Sequence, residues 1–208
     1  MRGPSPAPPL AGPPLFRGHD TKEQTMPRPT APVIIPAVAG DGALFPIEKM
    51  KAHVDGQLHL AVSVFVFDGE HLLLQRRAAA KYHCGGLWAN TCCTHPNWRE
   101  TLEAAAGRRL TEELGFTLPL ARHATVDYAA DVGNGLSEHE RVTLFSATAD
   151  RHRLAIAPHP DEVSETRWIT RDDLAAEISA FPERFTPWLR IYLARFPGLH
   201  LPPTRLAG

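Results

Sequence analysis

The sequence predicts a mixed α/β domain, on three observations. A β-branched and aromatic run, His59 to Asp68 (HLAVSVFVFD), has the composition of a buried strand. A helical pattern opens after Pro96 and stops at Gly115. Beyond it strand-like and helix-like segments interleave, the pattern of helices packed on a sheet.

The elements follow in order. Asp68-Gly69 is a hairpin-turn signal, and His71 to Arg76 is the return strand. Ala78 to Pro96, rich in Gly, Cys, His and Trp, reads as mixed loop and strand. Asn97 and Glu100 form a capping-box-like start for the long helix, and Gly115 after Leu114 supplies its stop. Strands are expected at Ala124–Ala130, Glu140–Thr148 and Glu165–Ile169. Thr170-x-x-Asp173 caps a second helix, Asp172 to Ser179. A third begins near Pro187 and contains Arg190 to Arg195.

The chain has 208 residues, 43% hydrophobic and 22% charged, which supports a packed core and excludes global disorder. A net charge of -1 provides no basic field for nucleic acid or an anionic membrane. The nearly apolar run Leu60 to Phe67 is too short to span a bilayer, and the amino terminus lacks an apolar signal-like core. Cys84, Cys92 and Cys93, an odd number crowded together, make a poor disulfide framework and suit a reducing cytoplasm. Nine of the 20 prolines fall in residues 1–32, which read as a disordered tail ahead of a folded domain at 33–208.

Two groups of residues carry chemistry. On the long helix, Arg108-Arg109-Leu110-Thr111-Glu112-Glu113-Leu114-Gly115-Phe116 is preceded by Glu100. This resembles the Nudix box, a loop–helix signature of enzymes that bind diphosphates through magnesium. Thr94 stands where the box opens with glycine, and Arg109 where it has a glutamate. Residues 109, 112 and 113 share one helix face, so Arg109 replaces an anion of a multi-metal carboxylate cluster with a cation. A single magnesium on Glu113 and a plain Arg109–Glu113 ion pair are both open readings.

The second group is Arg77-x3-Lys81, then Trp88-Ala89-Asn90-Thr91-Cys92-Cys93-Thr94-His95-Pro96, then Tyr128 and Glu138-His139-Glu140, with His53 and His59 upstream. The set resembles type I isopentenyl-diphosphate isomerases, Nudix-fold enzymes that move a double bond, over about Phe45 to Trp188. The resemblance implies a Nudix-like α/β/α sandwich with a mixed sheet and a role in isoprenoid synthesis. It implies a divalent ion (Mn²⁺, Zn²⁺ or Mg²⁺) held by His53, His59, His95, Glu138 and Glu140, and a second ion, magnesium, on Glu113 with the substrate. It places Cys93 and Glu140 in proton transfer with Tyr128 assisting, Lys49, Arg77 and Lys81 on the diphosphate, and Trp188 against the hydrocarbon. The His53–His59 interval is one residue shorter than in that family.

The residues make chemical sense on their own. Glu138 and Glu140 are two apart on a strand and point to one side. Imidazoles with carboxylates suit a borderline or hard divalent ion. Cys93 and His95 share a side of an extended segment, leaving Cys92 to packing. Two rivals remain: a Nudix pyrophosphohydrolase, which needs the carboxylate cluster that Arg109 interrupts, and a non-catalytic Nudix-fold binding module.

Overall fold

A computed structural model describes Gly3 and residues 32–201. The chain divides into two units, Met1–Ala31 and Pro32–Gly208, and the elements below belong to the second. The tail expected at 1–32 lies, but for Gly3 and Pro32, outside the described residues.

The strands are β1 (Ile34–Val38), β2 (Leu44–Glu48), β3 (His59–Asp68), β4 (His71–Arg77), β5 (Trp88–Ala89), β6 (Cys92–Thr94), β7 (Ala121–Gly133), β8 (Leu136–Thr148) and β9 (Val163–Thr170). The α-helices are α1 (Lys49–Asp55), α2 (Leu102–Leu114), α3 (Arg171–Ala180) and α4 (Pro187–Arg195). Among the described residues no helix is long and apolar enough to cross a membrane.

The sheet is organised around β3. One edge pairs in parallel with β8 from His59↔Glu140 to Phe67↔Thr148. The other edge is shared in turn by β1 at His59, β6 at 62–64 and β4 at the Asp68-Gly69 turn. β4 leaves β3 after two register pairs and carries β9 and β5 instead. Alternation divides the core. Val62, Val64 and Val66 pack with Ala105, Ala106, Leu110 and Leu114 of α2. Ala61 and Phe65 face the opposite side, with Leu174 of α3 and Trp188, Leu189 and Tyr192 of α4. The result is a mixed sheet between helices, an α/β/α sandwich.

Three sequence expectations are corrected. The stretch between residue 33 and His59, for which the sequence reading names no element, holds β1, β2 and α1, with Pro36 inside β1 and Pro46 inside β2. The two face each other in register in a β1–β2 ladder that touches β3 at one pair only, so little ladder bonding is demanded of them. The long helix starts at Leu102, with Thr101 Oγ1 accepting from the Ala104 N–H at 3.2 Å. Asn97 and Glu100 close a turn before it instead: the Asn97 N–H donates to Glu100 Oε2 at 2.8 Å. β7 and β8 run longer than expected because Gly133-Asn134-Gly135, all at positive φ, turns them into one long hairpin.

Gly115 ends α2 in the left-handed region at φ 76°. A Cβ there would lie 2.9 Å from Ala157 Cβ and 3.0 Å from its carbonyl oxygen. Gly115→Ala is expected to destabilise the domain by about 1–3 kcal/mol, combining positive-φ strain with this overlap. A lowered urea midpoint at unchanged slope is the measurement; an unchanged midpoint contradicts it.

Candidate active site

Strand register assembles the site. On β8, Glu138 and Glu140 alternate around His139 and project to the same side. Glu140 stands opposite His59 of β3 and opposite Tyr128 of β7. On the other edge of β3, Cys93 stands opposite Ser63, and His95 follows on the same side. α1 adds Lys49 and His53, one turn apart on one helix face. Glu48 caps that helix by accepting from the Met50 and Lys51 N–H groups, and the Gly56 carbonyl meets His139 Nδ1 at 2.9 Å, holding α1 against β8.

The three histidines and Glu138 each offer a ligand atom, all within 4.8 Å of one another and all buried. His53 Nδ1 meets the Lys49 carbonyl at 2.6 Å, and His59 Nδ1 meets the Gln57 carbonyl at 2.7 Å. A carbonyl only accepts, so each Nδ1 donates a proton to it and each ring turns its Nε2 inward. His59 Nε2 lies 3.1 Å from His95 Nε2, which is also 2.8 Å from Glu140 Oε1. His53 Nε2 and Glu138 Oε2 lie 3.1 Å apart and neither makes a hydrogen bond. Converging, unpartnered lone pairs in a buried pocket fit a divalent cation. Burial opposes the charge on Glu138, but the surrounding imidazoles prevail and hold its carboxyl well below the usual range. His83 joins the group, with Nε2 3.0 Å from Glu138 Oε1, and burial pushes its pKa down.

The pocket opens into a cavity of about 290 Å³ lined by Cys93, His95, Tyr128, Glu138, Glu140 and Trp188. Lys49, Arg77, Lys81, Arg108 and Arg109 also line it, with Glu162 among them. Glu162 Oε2 accepts from Lys81 Nζ and from Arg109 Nη2, both at 2.7 Å, and so fixes two of the cations. Burial brings the Lys49 ammonium down to about 8, against the pull of Glu138. The Arg77 guanidinium sits 5.3 Å from the centre of the Trp188 ring and donates to the His83 carbonyl at 3.2 Å. Arg76 points away toward Glu165, as strand alternation requires.

Cys93 and Glu140 are held by separate partners. Asn90 spends both amide hydrogens on the Val64 and Cys92 carbonyls, at 3.0 Å each, leaving Oδ1 to accept from Cys93 Sγ at 3.0 Å. Ser63 Oγ is 3.2 Å from the same sulfur. Burial raises the Cys93 thiol to about 12, against the effect of its hydrogen bonds with Ser63 and Asn90. Tyr128 donates to Glu140 Oε2 at 2.5 Å, and burial beside that carboxylate raises the phenol well above its ordinary value. Cys92 is fully buried in the α2 side of the core, and Cys84 is half-buried in the loop before β5.

Glu113 stands apart. It is buried, pairs with Arg109 Nη2 through Oε1, accepts from Gln75 Nε2 at 2.8 Å through Oε2, and does not line the cavity. As placed, each of its oxygens accepts from one protein donor. Sequence reasoning missed Arg109 as a cavity residue, and with it His83, Glu162, Ser63 and Tyr192. No local pattern marks them, since each is defined only by what folds against it.

A NUDIX domain model matches residues 57–189. An isopentenyl-diphosphate Delta-isomerase of Cereibacter sphaeroides is 57% identical over 164 residues, spanning 78% of this chain and 92% of that protein. The chain belongs to the isopentenyl-diphosphate Delta-isomerase family, within the Nudix superfamily. The family member from Ruegeria pomeroyi is 53% identical over 163 residues, 77% of this chain and 89% of that one. The fold extends beyond the isomerases. The crystal structure of DR0079 from Deinococcus radiodurans superimposes with a TM-score of 0.64 at 18% identity, covering 78% of this chain and 98% of that one. A MutT protein from Methanosarcina mazei does so at 0.54 and 16% identity, covering 66% and 91%. In this isomerase-family chain Arg109 crosses to Glu113 and Glu162, where a hydrolytic cluster would need a carboxylate.

Glu138 touches all of the converging imidazoles, so Glu138→Gln is expected to lower divalent-metal affinity by roughly 10–100-fold or more. Elemental analysis after dialysis should give about one equivalent for the unaltered protein and far less for the variant, with Mn²⁺, Zn²⁺ and Mg²⁺ offered separately. Equal retention by both would contradict the assignment.

Proposed function

We propose that this chain interconverts isopentenyl and dimethylallyl diphosphates by adding a proton at one end of an allylic unit and removing one at the other, a step of isoprenoid synthesis. The observation that carries the reading is that the Cys93 thiol and the Glu140 carboxylate open onto one cavity walled by cations. Family membership supports the same reaction.

Lys49, Arg77, Lys81 and Arg109 bind the diphosphate, together with any magnesium it brings, and so orient the hydrocarbon toward the buried end. Glu162 keeps Lys81 and Arg109 in place before the anion arrives. Trp188, itself buried, offers an apolar, electron-rich wall to a carbocation-like intermediate, an attraction of roughly 2 kcal/mol when desolvated. Alkenes are very weak bases, so the proton donor must be strong. A divalent ion on His53, His59, His95 and Glu138, with Glu140 at its border, would supply a positive field that strengthens the acid. Tyr128 holds Glu140 Oε2 and limits its rotation. Cys93 is the second proton-transfer group, and Asn90 sets where its hydrogen points. Because the reaction is reversible, each of the pair is the acid in one direction and the base in the other. The three free cysteines support a reducing, cytoplasmic setting.

Cys93→Ala is expected to abolish dimethylallyl diphosphate formation, by at least about 10³-fold, with the thermal midpoint and diphosphate binding nearly unchanged. NMR in D₂O checks it: the unaltered protein moves the double bond and incorporates deuterium, and the variant does neither. Normal turnover by the variant would remove Cys93 from the mechanism. Phosphate release from nucleoside diphosphates is expected to be negligible, and appreciable release would favour the hydrolase reading.

A further inference from the structure

Glu138 differs from the imidazoles that converge with it on the inner pocket. His53 and His59 are fixed by the backbone carbonyls that hold each Nδ1. A carboxylate has two like oxygens and turns about its last bond, so it needs a partner to settle which oxygen faces an ion. Here the two are divided. Oε2 faces the imidazoles, 3.1 Å from His53 Nε2, 3.6 Å from His59 Nε2 and 3.8 Å from His95 Nε2. Oε1 meets His83 Nε2 at 3.0 Å. A carboxylate oxygen accepts, so His83 donates.

His83 is buried, and its surroundings hold it in place. It lies on the loop between β4 and β5, which closes where the Arg77 N–H donates to the Leu87 carbonyl at 2.9 Å and the Gly86 N–H to the Arg77 carbonyl at 3.0 Å. Gly85 lets the loop fold on itself: a Cβ there would lie 2.5 Å from the Ala79 carbonyl oxygen. The His83 ring meets Tyr82 edge-on at 4.4 Å and Trp188 edge-on at 6.0 Å, and its carbonyl accepts from Arg77 Nη2 at 3.2 Å. Its Nδ1 makes no hydrogen bond, so the polar contact of the ring is the one to Glu138. Packing alone would be served as well by a phenyl ring.

We infer that His83 is a positioning residue for the inner pocket: its N–H holds Glu138 Oε1 and so keeps Oε2 turned toward the place of the divalent ion. The inference rests on the reading of His53, His59, His95 and Glu138 as an ion-binding group. A carboxylate fixed in advance loses no rotation when the ion arrives, and partners that orient a ligand in this way are worth roughly 10–100-fold in metal affinity.

The test is titration of the metal-free, full-length chain with Mn²⁺ alone at fixed pH, with the free ion followed by electron paramagnetic resonance. His83→Phe keeps a ring and removes the donor. It is expected to weaken binding by roughly tenfold or more, with about one equivalent still bound at saturation and the thermal midpoint of the metal-free chain nearly unchanged. His83→Gln keeps an N–H donor at a similar reach and is expected to bind within about threefold of the unaltered protein. Binding by His83→Phe equal to that of the unaltered protein overturns the inference. Binding by His83→Gln as weak as that by His83→Phe also overturns it, since the imidazole is then needed for something other than its N–H. If His83→Phe does not fold, His83→Ala carries the same expectation. Uptake by the unaltered protein is read in the same titration: no uptake there overturns the ion-binding reading itself, which is thereby told apart from failure of the positioning role alone.

Discussion

The parallel pairing of β8 with β3 is the constraint on which the site depends. Its register sets His59 beside Glu140, and the β7 hairpin then sets Tyr128 on the other flank of the same carboxylate. Side chains alternate with a period of two, so a slip of one residue would turn both glutamates to the far side of the sheet and set His139 or Arg141 before the histidines in their place. The same slip would push Val142 and Leu144 out of the α4 side of the core. Core packing therefore enforces the geometry of the chemistry, and the site needs no separate scaffold.

Charge is divided along the cavity. The buried end gathers imidazoles and carboxylates whose lone pairs converge, and the outer walls gather Lys and Arg. Each half is costly alone, because like polar groups are crowded away from water. Partners within the protein relieve part of this: Glu162 and Glu113 hold Arg109, Glu162 also holds Lys81, and backbone carbonyls take the outer nitrogens of His53 and His59. At the imidazole cluster His53 Nε2 and Glu138 Oε2 remain without a hydrogen-bond partner, a donor set that fits a divalent cation. The cavity also presents a thiol, a carboxylate and an indole ring.

Arg109 shows how one substitution redirects a shared fold. On its helix face a carboxylate would extend an acidic cluster, whereas the guanidinium crosses to Glu112, Glu113 and Glu162. It closes Glu113 and adds a cation to the cavity. The Arg109–Glu113 ion pair that the sequence left open thus exists, on a buried glutamate and with Arg109 lining the cavity.

The sequence by itself determined the strands, helices and caps that rest on local rules: the β3–β4 hairpin from Asp68-Gly69, α3 from Thr170 and Asp173, and the ends of α2 and α4 from Gly115 and Pro187. It also marked Cys93, His95, Glu138 and Glu140 through their family resemblance, and spacing along a strand put Cys93 with His95 and Glu138 with Glu140 on shared faces. Only the tertiary structure decided that His53 reaches that group, since α1 follows two proline-bearing strands whose pairing no local signal announces. It alone brought in His83, Glu162, Ser63 and Tyr192, each distant along the chain from what it touches, and it alone closed Glu113 behind Arg109 and Gln75. Local preference is written in neighbouring residues, whereas a hydrogen bond between β3 and α4 exists only after hydrophobic burial has pressed those elements together.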